Sequence, residues 1–196
     1  MKSKKWLERN KKDIYSKKAK LSGYVSRAAY KLFEIDNKYS LISKAKNILE
    51  LGSAPGGWSQ AIFEKNNNAQ VSGFDLLDMK FNHPNFKFFK QNFLEYKFLD
   101  IENKFDLVLS DIAPNTSGHK STDHLRICSL IEEIINLLDD IALKNSSLII
   151  KIWKGSEEYN IINNLKAKYK KISYFKPKSS HSESSEIFIV AQNFIN

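Results

Sequence analysis

The sequence predicts an α/β fold, a mostly parallel sheet with helices on both faces and an antiparallel last strand. Three observations carry that expectation. Strand and helix signals alternate along the chain. Several strand candidates are apolar throughout, the pattern of strands covered on both faces. The last two strand candidates are joined by a loop with no room for a helix, so they are expected to run antiparallel.

The elements follow in order. After a basic leader, residues 25–39 ("VSRAAYKLFEIDNKY") carry helical spacing, with Ser26 as candidate N-cap. "AKNILELG" (45–52) is a short apolar strand ending at a glycine, and "GGWSQAIFEKN" (56–66) reads as a helix. "QVSGFDLL" (70–77), "FKFFKQNF" (86–93) and "FDLVLSD" (105–111) are further strands. Residues 123–143 form an amphipathic helix with Leu130, Ile131, Ile134, Leu137, Leu138 and Ile141 on one face. "LIIKIWKG" (148–155) is a strand, a helix covers 156–169, and "KISYFKP" (171–177) and "EIFIVAQNF" (186–194) close the chain.

The chain has 196 residues, a length suited to a single domain, and no linker or repeat divides it. Its net charge is +9, but residues 1–20 hold nine Lys or Arg against Glu8 and Asp13. We therefore separate a basic extension, 1–20, from a single domain, 21–196. Lys166, Lys168, Lys170, Lys171, Lys176 and Lys178 form a second basic cluster. Two such patches on a nearly balanced body point to a polyanion, with nucleic acid the first candidate and a solvated tail the alternative for the leader. Trp6, Tyr15, Tyr24 and Tyr30 add stacking surfaces beside the leader's cations. Cys128 is the only cysteine, which excludes an internal disulfide and suits a reducing, cytoplasmic setting. No apolar run reaches the roughly 18 residues of a membrane span. The four histidines lack metal-ligand spacing, so no metal is expected.

In a sheet of this kind, ligands bind at the carboxyl ends of the strands. "LELGSAPGGWS" (49–59) places Glu50 and Gly52 before a helix mouth marked by Gly56 and Gly57. The glycines permit a tight turn and a close backbone approach to a ligand. Ala54 stands where a dinucleotide fingerprint has its second glycine, which disfavours a nicotinamide site. Asp75 ends the following strand, where a carboxylate can accept from both hydroxyls of a ribose. Lys151 stands among Leu148, Ile149, Ile150, Ile152 and Trp153. A buried ammonium is costly unless it is paired or exploited.

Six ordered blocks decide among these readings: "SRAAYKL" (26–32), "LGSAPGGWSQ" (51–60), "FDLL" (74–77), "SDIAPNTSG" (110–118), "IIKIWKG" (149–155) and "KPKSSHSESSEIFIVA" (176–191). From about Tyr24 to Ala191 the chain resembles the FtsJ/RrmJ (RlmE) family of S-adenosylmethionine-dependent 2′-O-ribose methyltransferases. The resemblance implies a Rossmann-like methyltransferase fold with a reversed final strand. It implies S-adenosylmethionine as cofactor, with Gly56 and Trp58 against the methionine part, Asp75 on the ribose, and Asp111 between cofactor and substrate. Asn92, in "QNF", stands where the family usually has an acid, and its amide can hydrogen-bond the adenine edge.

Lys31, Asp111, Lys151 and Glu186 match the family's Lys-Asp-Lys-Glu tetrad. The expected roles are that Lys151 deprotonates or polarises the 2′-OH, Asp111 orients Lys151, and Lys31 and Glu186 fix the substrate ribose. Each has a plainer reading: a solvated Lys31, a turn-capping Asp111, a surface-paired Glu186, a snorkelling Lys151. Four matches inside six ordered blocks outweigh those readings. Lys154 is expected to be solvated. The implied substrate is a uridine in large-subunit ribosomal RNA, acted on by a monomer. A tRNA 2′-O-methyltransferase, a nucleotide-dependent oxidoreductase and a non-catalytic RNA-binding protein are the alternatives.

Overall fold

A computed structural model describes residues 13–98, 104–114, 118–155, 157–181 and 184–195. Residues 1–12, with Trp6 and six of the leader's cations, lie outside the described residues. Helix α1 (Ile14–Leu21) is followed by α2 (Ala28–Tyr39), strand β1 (Asn47–Leu51), α3 (Gly57–Lys65), β2 (Gln70–Asp75) and β3 (Phe86–Lys90). Then come β4 (Phe105–Ser110), α4 (Lys120–Ile141), β5 (Ala142–Trp153), α5 (Glu158–Lys168), β6 (Tyr169–Phe175) and β7 (Glu186–Phe194). The strands form one sheet in the order β3-β2-β1-β4-β5-β7-β6. β7 runs antiparallel to both β5 and β6, and the other pairs are parallel.

The two-residue side-chain period sorts each strand between two cores. Ile48, Leu107, Leu109, Ile149, Phe188 and Val190 face α2 and α3, where Leu32, Ile35, Trp58, Ala61 and Ile62 are buried. Leu49, Val108, Leu148, Ile150, Ile152, Ile187 and Ile189 face the side where α4 buries Ile131, Ile134 and Leu138 and α5 buries Ile161 and Leu165. Counting on by two, Asp111, Lys151 and Glu186 all belong to the α2/α3 face.

Several limits differ from the sequence expectation. α1 was not expected, and it crosses the boundary drawn at residue 20. It has no apolar stripe, and Ala19 is its one buried residue. Asp13 caps it by accepting from the Tyr15 N–H at 3.0 Å and from Ser16 Oγ at 2.8 Å. It is tied to the domain by the Asp13–Arg27 ion pair and by Tyr15 against Tyr30, ring centroids 5.7 Å apart. α2 begins at Ala28 rather than 25, with Ser26 Oγ accepting from the Ala28 N–H at 3.3 Å. β2 ends at Asp75 rather than 77, and β3 at Lys90 rather than 93, where a short 3-10 turn over Phe93–Glu95 takes over. β5 starts at Ala142, well before 148. Its register against β4 shifts between Phe105 and Leu107, and Asn145 has φ 63°. The polar run Lys144-Asn145-Ser146 gives no strand signal because it spans this irregularity.

Candidate active site

The sheet order reverses between β1 and β4, so a crevice opens at their carboxyl ends. A cavity of about 420 Å³ lies there, lined by Gly52, Ala54, Phe74, Asp75, Leu76, Leu77, Gln91, Asn92, Phe93, Asp111, Ile112, Ala113, Pro114 and Leu130. Asp75 joins its walls. One oxygen accepts from the Ala54 N–H at 2.9 Å and the other from the Leu77 N–H at 2.9 Å. A carboxylate has about four acceptor sites, so Asp75 retains capacity for a ligand's hydroxyls. Asn92 also lines the cavity, and its Oδ1 accepts from the Leu94 N–H at 3.2 Å.

Gly56 and Trp58 do not line the cavity. Gly56 opens α3 at φ 110°, and a Cβ there would meet Phe81 Cβ at 2.6 Å, so the turn needs glycine. Trp58 is buried against Phe188, ring centroids 5.7 Å apart. Beneath the loop, Glu50 is fully buried and accepts from Ser59 Oγ at 2.6 Å. Burial pushes its carboxyl up to about 8, against the pull of the Ser59 hydrogen bond; Asp111 and Asp75 push the same way as burial.

The register brings the four tetrad residues together. Ser110 pairs with Ile150, so Asp111 and Lys151 occupy the next rung, side by side on one face. Lys151 pairs with Phe188 and Trp153 with Glu186, which places Glu186 two residues beyond on the same face. Lys151 is only 6% exposed. Its Nζ donates to Asp111 Oδ1 at 2.8 Å and to the Asp111 main-chain oxygen at 2.6 Å. α2 delivers Lys31, whose Nζ donates to Glu186 Oε2 at 2.8 Å and lies 3.9 Å from Asp111 Oδ1. The same Nζ lies 5.7 Å from the centre of the Phe188 ring.

Two ammonium groups and two carboxylates thus form one balanced cluster. Burial alone would raise the Asp111 carboxyl, but Lys151 and Lys31 outweigh it and hold Asp111 below the usual carboxylate range. Asp111 is the only tetrad member that also lines the cavity. Such a buried cluster is weak evidence of stabilisation but strong evidence of constraint, because removing one partner strands a charge. Lys154 is exposed, as expected, and its N–H donates to the Ser185 oxygen at 3.1 Å.

The sequence reading missed Leu76 and Leu77, which wall the cavity and are 66% and 67% exposed. The available signal was the carboxylate before them: a strand stopping at Asp75 leaves two leucines with nothing to cover.

A reversed-strand Rossmann-like sheet, a cavity at the switch point and a buried lysine joined to it by a carboxylate define a group-transfer enzyme of the methyltransferase type. The chain belongs to the FtsJ-like methyltransferase family, whose model matches residues 24–194. It is 41% identical over 193 residues to the ribosomal RNA large subunit methyltransferase E of Caulobacter vibrioides, covering 96% of this chain and 85% of that one. It is 39% identical over 202 residues to the protein of the same name from Maricaulis maris, covering 98% and 70%. A crystal structure described as a ribosomal RNA methyltransferase from Plasmodium falciparum superposes with TM-score 0.76 at 34% identity, covering 88% of this chain and 100% of that one. A structure described as that of a hemolysin from Streptococcus thermophilus, 13% identical at TM-score 0.64, shares the fold alone.

Proposed function

We propose that this protein transfers a methyl group from S-adenosylmethionine to the ribose 2′-OH of a uridine in large-subunit ribosomal RNA. The observation that carries the reading is Asp111, which lines the cavity and holds Lys151 at 2.8 Å. The printed names of the relatives supply the class of RNA.

The cavity residues fit the cofactor. Asp75 keeps acceptor capacity for ribose hydroxyls, Leu76 and Leu77 offer apolar walls to a base, and Asn92 offers an amide. Gly56 and Trp58 shape the turn and the helix behind them. When bound, the cofactor supplies an electrophilic methyl group on a sulfonium. The chain's own residues do the rest. Lys31 and Glu186 hold the acceptor ribose. Lys151 polarises the 2′-OH as an ammonium or, after losing one proton to solvent, takes the hydroxyl proton as a neutral amine while the oxygen becomes nucleophilic. Asp111 keeps Lys151 aimed there and favours its charge.

The described part of the leader suits an RNA contact, with Lys17 and Lys18 on α1 and Lys18 Nζ 4.9 Å from the centre of the Tyr30 ring. We assign RNA binding to residues 1–20 and methyl transfer to 21–196, in a cytoplasmic monomer. The test is incubation with labelled S-adenosylmethionine and either large ribosomal subunits or tRNA, followed by mass mapping. The expected product is one 2′-O-methyluridine in the large-subunit RNA. Label in tRNA, or on a base, overturns the reading.

A further inference from the structure

We infer that Ser180 is a positioning residue for methyl transfer, fixing the Glu186 carboxylate against Lys31, and that α2 holds Ser180 in place through Glu34 and Arg27. The inference rests on the reaction proposed above. Glu186 Oε2 accepts from Lys31 at 2.8 Å, but its other oxygen accepts from Ser180 Oγ at 2.7 Å. The terminal torsion of a glutamate is broad, so one hydrogen bond leaves its plane free to turn. Two bonds, one to each oxygen, fix it. Ser180 is buried, and its acceptor is charged, the conditions under which a hydroxyl hydrogen bond is strongest.

Ser180 lies in the connection between β6 and β7, outside both strands. Its place is set from α2. Glu34 Oε2 accepts from the Lys178 N–H at 2.6 Å and Oε1 from the Ser179 N–H at 2.9 Å. Arg27 donates to the Ser179 carbonyl, and its Nη1 lies 2.9 Å from His181 Nε2. Positions 27, 31 and 34 share one helix face, at spacings of four and three. The stripe that presents Lys31 therefore also anchors the segment that orients Lys31's partner. From the other side, Lys176 Nζ donates to the Ser184 oxygen at 2.7 Å and to the Glu186 main-chain oxygen. The charged groups facing this carboxylate are Lys31 from α2, Arg27 at the N-cap of α2 and Lys176 from the β6–β7 connection.

The test pairs Ser180→Ala with Ser180→Thr, which restores a hydroxyl, and with Glu34→Ala. At saturating S-adenosylmethionine, Ser180→Ala should lower kcat on large subunits about tenfold, the worth of one hydrogen bond to a charged group. Its KM for S-adenosylmethionine should stay within about twofold. Ser180→Thr should recover most of the loss, and Glu34→Ala should lower kcat in the same sense. A crystal structure of Ser180→Ala should show the Glu186 carboxylate turned away from Lys31, an outcome independent of which RNA is the substrate. An unmoved carboxylate, a wild-type kcat, or a loss that appears only as a lower Tm overturns the inference. Failure of the wild type to methylate any RNA instead overturns the proposed function and leaves the crystallographic result to judge Ser180.

Discussion

The cofactor cavity and the lysine–carboxylate cluster meet at Asp111 but are assembled differently. One wall of the cavity is local: Gly52, Ala54, Asp75, Leu76 and Leu77 come from two adjacent strand ends bridged by Asp75 through main-chain hydrogen bonds, and the rest comes from beyond β3 and β4 and from Leu130 of α4. The cluster is long-range: Lys31 meets Glu186 across 155 positions and Lys151 meets Asp111 across 40. The cavity thus depends on turn geometry, and the cluster depends on the register of the whole sheet and on the seat of α2. Binding and chemistry should therefore be separable by mutation, with Asp111 the exception.

The largest separation is expected at Lys151. Lys151→Ala should reduce single-turnover methyl transfer by about 10³-fold, within the range for loss of a positioned proton-transfer group. Calorimetric S-adenosylmethionine binding should stay near the wild-type value, and near-normal turnover would break the comparison.

Glu50, buried beneath the glycine loop, offers the next effect. Glu50 is raised from 4.5 to about 8 by burial, so the unfolded chain releases its proton first. Its destabilisation is absent below pH 4.5, grows as pH rises, and is complete above pH 8. Glu50→Gln should raise unfolding free energy by on the order of 5 kcal/mol at pH 9 and by almost nothing at pH 4.5, read by chemical denaturation.

Asp75→Ala should act on the other half of the site. Losing two hydrogen bonds should weaken S-adenosylmethionine binding by about thirtyfold, while kcat at saturation stays within about threefold. The smallest effect is expected outside both halves. Asp78 meets Lys90 at 2.6 Å in the open, and Asp78→Asn should leave Tm and activity unchanged.

The sequence made the sheet legible because apolar strands and amphipathic helices carry their own periodicities. Lys151 was legible as the one charge in an apolar strand, whereas Lys31, Asp111 and Glu186 were legible only through the family resemblance of the ordered blocks that hold them. Asp75 and Asn92 were found at the cavity, whereas Gly56 and Trp58 shape the turn beside it. α1 escaped because a cap, an ion pair and a tyrosine contact hold it rather than an apolar face. The irregular start of β5 escaped because its polar residues mimic a loop. Glu34 and Ser180, 146 positions apart, escaped because nothing local in either segment announces the other.

Asp111 is where the two halves should fail together, and Asp111→Asn is the direct test. With S-adenosylmethionine Kd and single-turnover transfer measured on the same preparation, cofactor binding should weaken and the saturated transfer rate should fall. A loss confined to one of the two would show that Asp111 does not join them.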